Sequence, residues 1–344
     1  MKKFVLIIIL SLFVVLSCNN SRFSPKTNNG KKWRIGYYQG GKWNDYKATF
    51  LAILKALQMN SWIQKLDLKG INNNTSMKDI WKTLGLRVKS KYIEFPAFAF
   101  RDSQWNKELR TTNKQNVINM LNENKLDLII AAGTWAGLDL ANNMHNTPVL
   151  VISTSDPVKA KIIKSYKDTG FDHVYARSDP KRIFRQLTFF YNLVKFKSLG
   201  VAFLDTQEGR AYAGINDIVE LSKTLNFDIV YCKIAKEYAD DKLDMQNVSN
   251  CFKIIAPKID AMYITELLGA RPKFMPGILE PFFKYKIPTY SQNAIDTVKR
   301  GVLIGLKRGG FIKVGVFLSS IIAKIFYGIK SRDINQIFID QDQI

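Results

Sequence analysis

The sequence predicts an α/β protein of two doubly wound lobes with a ligand cleft between them. Three observations carry this. Short, β-branched apolar runs alternate with amphipathic helical stretches from Trp33 onward. The runs are almost continuously apolar, as in parallel strands covered by helices on both faces. Eight of them exceed one comfortable sheet, so two sheets follow.

The predicted strands cover residues 34–38, 91–95, 127–131, 148–152, 198–204, 228–231, 260–264 and 287–290. Between them, Val117, Ile118 and Leu121 mark a helix over residues 116–124. Ile183, Phe184, Leu187, Phe190 and Leu193 mark another over 182–194, at helical spacing. Asp179-Pro180 reads as that helix's N-cap followed by proline in the first turn, and Asp156-Pro157 repeats the signal after the fourth strand. The apolar stretch 314–327 contains Lys324 and is short, so it reads as a buried helix and not a membrane span.

Sheets of this kind bind ligands beyond the carboxyl ends of their strands, where helix N-termini point outward. Six loops occupy those positions: residues 39–46, 131–137, 153–157, 205–210, 265–269 and 291–294. They supply Ser, Thr, Gln, Gly and Asp, which offer hydrogen bonds without a nucleophile. From the first three loops the candidate ligand-binding residues are Gln39, Trp43, Asp45, Thr134, Trp135, Ser155 and Asp156. Thr134 offers a hydroxyl and a backbone N–H to a carboxylate, or serves as an ordinary helix start. Asp45 suits an ammonium or a solvated loop equally. Trp43 and Trp135 suit an apolar or aromatic guest, or lobe packing. The second half contributes Thr206, Arg210, Thr265, Glu266, Ser291 and Gln292. Arg210 could fork onto a carboxylate, or form a surface salt bridge.

The first residues describe an export signal. Lys2 and Lys3 precede an apolar core ending at Leu16, and Ser17-Cys18 follows. A cysteine directly after a small residue is the lipoprotein form, in which residues 1–17 are removed and Cys18 is acylated. The alternative is an uncleaved anchor with an incidental cysteine. Residues 18–32, rich in Asn, Ser, Lys, Pro and Gly, read as a flexible tether. Cys232 and Cys251 are either an extracytoplasmic disulfide or two buried thiols; both readings stay open.

The formal charge is +22 and 47% of residues are apolar. The lysines are scattered over helices (Lys159, Lys161, Lys164, Lys167) without an arginine-rich arm or nucleic-acid motif, so nucleic acid is not an expected partner. Enzyme signatures are missing too. The two histidines, His145 and His173, sit in no metal-binding spacing, and no nucleophile elbow or dinucleotide fingerprint follows a strand. Gly40-Gly41-Lys42 lacks the rest of a phosphate loop. No catalytic residue, metal or cofactor is expected.

In order and spacing the segments resemble the ABC-importer solute-binding lipoproteins of the type I periplasmic-binding fold, specifically the branch with tryptophan- and tyrosine-binding members. The segments are Ile35-Gly36-Tyr37-Tyr38 with Asp45-Tyr46, Asp127 to Thr134, Pro148 to Val158, Lys197 to Val201, Asp260 to Tyr263, Lys286 to Thr289, and Val298 to Leu303. The resemblance spans nearly the whole chain outside an insertion near residues 62–88. It implies two Rossmann-like lobes, here 33–176 with 301–329 and 177–300, crossed by hinges near 173–177, 299–305 and 332–340, with 330–344 as a hinge-crossing tail. It further implies a lipid-anchored monomer that closes on a small solute, an amino acid or other carboxylate, and delivers it to an ABC permease. A ligand sensor for a membrane signalling protein, or a basic polyanion-binding surface protein, are the alternatives.

Overall fold

A computed structural model describes residues 23–67, 70–72, 74–292, 294–306 and 311–339. Residues 1–17 and Cys18 lie outside this set. Among the described residues, ten strands form two wholly parallel sheets. The first contains β1 (Trp33–Gln39), β2 (Ile93–Glu94), β3 (Phe100–Asp102), β4 (Leu128–Ala132), β5 (Val149–Ile152) and β6 (Val174–Ala176), in the order β2-β1-β4-β5-β6. β3 continues where β2 stops, pairing Tyr37 with Phe100 on the same edge of β1 that pairs Trp33 with Ile93. The second sheet contains β7 (Ser198–Leu204), β8 (Asp228–Ile234), β9 (Ala261–Ile264) and β10 (Thr289–Ser291), ordered β10-β9-β7-β8. The central strands β4, β5 and β9 are buried at every residue, which explains their unbroken apolar sequences.

The hydrophobic cores follow the two sheets. One large cluster joins Ile35 through Ala176 to Val314–Phe326, because the helix Phe311–Phe326 returns to pack on the helix Asn44–Met59 of the first lobe. Two clusters on opposite faces of the second sheet include Val302 and Leu306. Where the chain crosses between lobes, the tail runs beside it: Ser178 and Ile337 form a parallel bridge, Ser178 N–H donates to the Gln336 carbonyl (2.8 Å), and Phe338 N–H donates to the Ser178 carbonyl (2.9 Å).

Several local expectations need correction. Residues 23–32 are docked on the first lobe and not free: Phe23 meets Tyr327 edge-on at 5.1 Å, and the Trp33 indole donates to the Lys26 carbonyl at 2.9 Å. Aromatic contacts outweigh the polar composition there. The helix Arg182–Val194 starts where predicted, but Asp179 does not cap it. Its carboxylate instead forks onto Arg185 (3.0 and 2.8 Å), a charge-assisted pair stronger than a cap. Asp156-Pro157 opens a turn that breaks at Lys161 (φ +62°) and not a helix. One Asp156 oxygen accepts the N–H groups of Val158 and Lys159, and the other accepts the Tyr166 hydroxyl at 2.6 Å, folding the loop back. The helix predicted over 116–124 extends from Lys107 to Asn122, capped by Asn106. Its first turns are polar and exposed, so periodicity marked only the half that meets the core.

Candidate functional site

The carboxyl ends of the two sheets face each other across a cavity of about 420 Å³. Its first-lobe wall is aromatic and donor-rich. Trp43 comes from the β1 loop and Tyr46 from the first turn of the helix Asn44–Met59, Trp105 and Arg110 from the segment after β3, Thr134 and Trp135 from the β4 exit, and Ser153 and Ser155 from the β5 exit. Trp105 is the hub of the aromatic set, meeting Trp135 edge-on at 5.5 Å and Trp43 edge-on at 6.3 Å, with Tyr46 at 6.4 Å.

Local backbone chemistry explains how Trp105 is held there. Gln104 and Trp105 both adopt left-handed φ (52° and 59°), a conformation costly for non-glycine residues and met at functional sites. The Asp102 carboxylate fixes this turn by accepting the Gln104 N–H (2.9 Å), and the Gly40 carbonyl accepts the Trp105 N–H (2.8 Å). The indole then lies against Gly41, where a Cβ would stand 2.5 Å from the ring. The Gly40-Gly41 pair therefore seats a tryptophan, not a phosphate. Similarly, Gly133 (φ +84°) lies under the Tyr46 hydroxyl, 1.9 Å from where a Cβ would be.

Arg110 lines the same wall but is already engaged. Its guanidinium meets Asp139 (2.9–3.1 Å) and lies 4.6 Å over the Trp135 ring. Asp139 also accepts the Tyr38 hydroxyl at 2.7 Å. The helix Gly133–Leu140 begins directly after β4, so its first N–H groups face the cleft beside the buried Thr134.

The second-lobe wall is acidic. Thr206 and Glu208 come from the β7 exit, Lys236, Glu237 and Tyr238 from the β8 exit, Glu266 and Leu268 from the β9 exit, and Tyr212 from the helix Gln207–Ala213. The Glu237 carboxylate accepts the Leu268 N–H at 2.6 Å. Burial pushes this carboxyl up to about 7, Asp244 pushes the same way, and the Leu268 bond and Arg271 oppose it. Burial also raises the Tyr46 hydroxyl well above its ordinary value, with Tyr212 and Glu266 adding to the rise. Burial likewise raises the Tyr212 hydroxyl, with Glu208 and Glu237 adding to the rise. Beside the cleft, Lys159 of the first lobe bridges to Asp217 of the second (2.5 Å).

Of the sequence-predicted residues, Trp43, Thr134, Trp135, Ser155, Thr206 and Glu266 line the cavity. Thr206 also caps its helix, accepting the Gly209 N–H (3.0 Å). The others stand outside the lining. Gln39 is buried behind it, donating to Asp102 at 2.8 Å, and so supports the Trp105 turn. Gln292 plays the matching part in the second lobe: its Oε1 accepts the Glu266 N–H (3.0 Å) and its amide donates to the Tyr212 carbonyl (3.3 Å). Thr265 is buried and donates to the Ala202 carbonyl (2.6 Å); Ser291 is buried in β10, its N–H donating to the Ile304 carbonyl (3.0 Å). Asp156 holds the turn described above, and Asp45 lies in the first turn of the helix Asn44–Met59. Arg210 is exposed, 3.8 Å from Asp205. The Cys232 and Cys251 sulfurs are bonded, their Cα atoms 5.8 Å apart, linking β8 to the helix Asp241–Ile255.

Sequence reasoning missed Trp105, Arg110 and residues 235–238. The sequence pattern does not show β3, and β8 runs on to Ile234 beyond its predicted end at Tyr231. β3 has only three residues, two of them charged, and β8 is an edge strand whose alternate residues are exposed, so its apolar run fades at Tyr231. The aromatic alternation Phe98, Phe100 and the Cys-Lys-Ile continuation of β8 were the available signals.

The profile of ABC transporter substrate binding proteins matches residues 91–344. The chain belongs to this family. It is therefore a substrate-binding protein and not an enzyme, of a class that works outside the cytoplasm. The tyrosine-binding protein of Clostridioides difficile is 24% identical over 151 residues, covering 44% of this chain and 41% of that relative, so the match spans less than half the relative's length. Solved structures agree over far more of the chain. A conserved domain protein from Vibrio cholerae superposes with a TM-score of 0.65 at 17% identity, covering 91% of this chain and 90% of that one. A Streptococcus pneumonia ABC domain in complex with L-Trp gives 0.64 at 16%, covering 90% and 91%. A ligand-free, open substrate-binding protein with adhesive properties from Clostridium difficile gives 0.59 at 21%, covering 90% of both chains. At these identities the structures establish the fold: two lobes of the type I periplasmic-binding architecture. Among the described residues no helix is long and apolar enough to cross a membrane, and no group of His, Cys, Asp and Glu could hold a metal ion.

Proposed function

We propose that this substrate-binding protein captures an α-amino acid between its lobes and presents it to an ABC permease, tethered to the membrane by acylated Cys18. One observation carries the ligand class: the two cleft walls are chemically opposed. The first-lobe wall offers N–H groups at the Gly133–Leu140 helix start and the hydroxyls of Thr134, Ser153 and Ser155, which suit a carboxylate. The second-lobe wall offers Glu266, Glu208 and Glu237, which suit an ammonium. A zwitterion joins the walls when it binds, so it favours the closed arrangement by its differential contacts. Trp43, Trp105 and Trp135 give a side chain an aromatic surface. The tyrosine-binding relative and the L-Trp-bound structural neighbour support an amino acid as guest. The lipid tether rests on Ser17-Cys18 after the apolar leader.

Thermal shift across the twenty amino acids tests the reading. A ligand at one hundred times its Kd stabilises the folded state by about 2.7 kcal/mol, a rise of several degrees. The absence of a shift with every amino acid would refute it.

A further inference from the structure

The second-lobe wall carries more negative charge than a zwitterion needs. Glu208, Glu237 and Glu266 reach the cavity from three different strand exits. An α-ammonium takes one of them. Glu266 fits that part, because Gln292 fixes its backbone and it stands in the electrostatic field of Tyr46 across the cleft.

We propose that the guest carries a second positive charge on its side chain, a basic α-amino acid, and that Glu237 is the residue selecting it. This deepens the amino-acid reading and rests on it. Glu237 has a backbone donor, the Leu268 N–H, but no cation within salt-bridge distance among the described residues. The neighbouring Lys236 points to the Tyr238 ring, 4.8 Å from its centre. Across the cleft Arg110 is satisfied by Asp139, so no first-lobe guanidinium is left over for it. A half-buried carboxylate without a cation keeps part of its desolvation cost, and a guest ammonium or guanidinium would offset it. The aromatic lining suits the same chemistry, since cations bind over the faces of tryptophan and tyrosine.

The charged and titratable groups facing Glu237 define the competition. Asp244 and Arg271 lie behind it, with opposite effects on its charge. Tyr212 shares its field along with Glu208 and Arg110. Lys236, Tyr238 and Glu266 flank it on its own wall, and Lys107 and Glu108 line the opposite one. Because burial raises the Glu237 carboxyl to about 7, a proton competes with the guest cation near neutrality.

Isothermal titration calorimetry on the purified chain tests this with L-arginine and L-lysine against L-tyrosine and L-tryptophan. At pH 8 the basic pair binds at least tenfold more tightly than the aromatic pair. Between pH 8 and pH 6 the wild-type affinity for L-arginine falls about tenfold, as one competing proton near pH 7 requires, while that for L-tyrosine moves less than threefold. Glu237→Gln reduces the basic-over-aromatic preference to below threefold. The wild-type pH comparison stands even if that variant folds poorly. Aromatic amino acids binding as tightly as basic ones, with no pH dependence, would overturn the selection by charge and leave the amino-acid reading intact. Failure of all four to bind, with no other amino acid giving a thermal shift, would overturn both.

Discussion

The two walls of the cleft are built on opposite principles. In the first lobe the half-buried cation at the cleft, Arg110, is held by a carboxylate of its own lobe, with Asp139 contacting both Arg110 and Tyr38. In the second lobe Glu237 reaches the cavity held by a single backbone N–H. The first wall is a finished surface, its shape fixed by internal pairs before any guest arrives. The second is electrostatically incomplete, with its partner expected to come from outside. Preorganisation thus sits on one side and unfulfilled charge on the other, the contrast on which the proposed closure around a guest rests.

The sharpest way to break this contrast is to unfinish the first wall. Asp139→Ala leaves the half-buried Arg110 without its carboxylate, and should destabilise the fold by about 3 kcal/mol in urea unfolding. A loss below about 1 kcal/mol would mean that the pair is not what sets that wall.

The lobes should also separate by pH. Burial, together with His173, lowers His145 in the first lobe from 6.5 to about 4. The folded state therefore keeps this imidazole neutral, and its contribution of about 3 kcal/mol is present above pH 6.5 and lost as pH falls to about 4. Glu237 has the reverse sign. Its folded value of about 7 exceeds its ordinary 4.5, so the fold gains stability as pH falls through that window. Denaturant unfolding at pH 8, 6 and 4.5 should show an acid loss that His145→Gln diminishes and Glu237→Gln enlarges. Matching pH profiles for both variants and the wild type would remove the distinction.

A third measurement addresses the aromatic surface. Trp105→Ala removes the ring that touches Trp43, Tyr46 and Trp135; ligand affinity should fall by about 2 kcal/mol, some thirtyfold in calorimetry. Gly41→Ala reaches the same ring indirectly, through a Cβ 2.5 Å from it. Its effect should be smaller, about 1 kcal/mol in affinity, and an unchanged affinity would show that Trp105 tolerates displacement. At the bottom of the scale, Lys330→Ala breaks an exposed pair with Asp172 and should leave the urea midpoint unchanged within error, because solvent screens such a pair.

Much of the fold was legible in the sequence because central strands must be apolar on both faces. β4, β5, β7 and β9 were read to within a residue or so of their ends. The short strands β3 and β6 were not read as strands: three residues bear no periodicity, and pairing with β1 and β5 is what makes them strands. The candidate site was half legible for the same reason. Trp135 and Glu266 follow strands of clear pattern, whereas Trp105 and Glu237 follow strands whose edges are partly polar. Gln39, the last residue of β1, and Gln292 stand one layer behind the lining, since each turns inward to brace a neighbour.

By itself, then, the sequence determined the alternation of strand and helix, the presence of two sheets, and the turns where chemistry collects. Those follow from hydrophobic period and turn chemistry, which act over a few residues. Only the tertiary structure decided which side chains face the cleft and which stand behind it. That choice is made by long-range partners, such as Asp139 for Arg110 and Gly41 for Trp105, whose proximity no local pattern encodes.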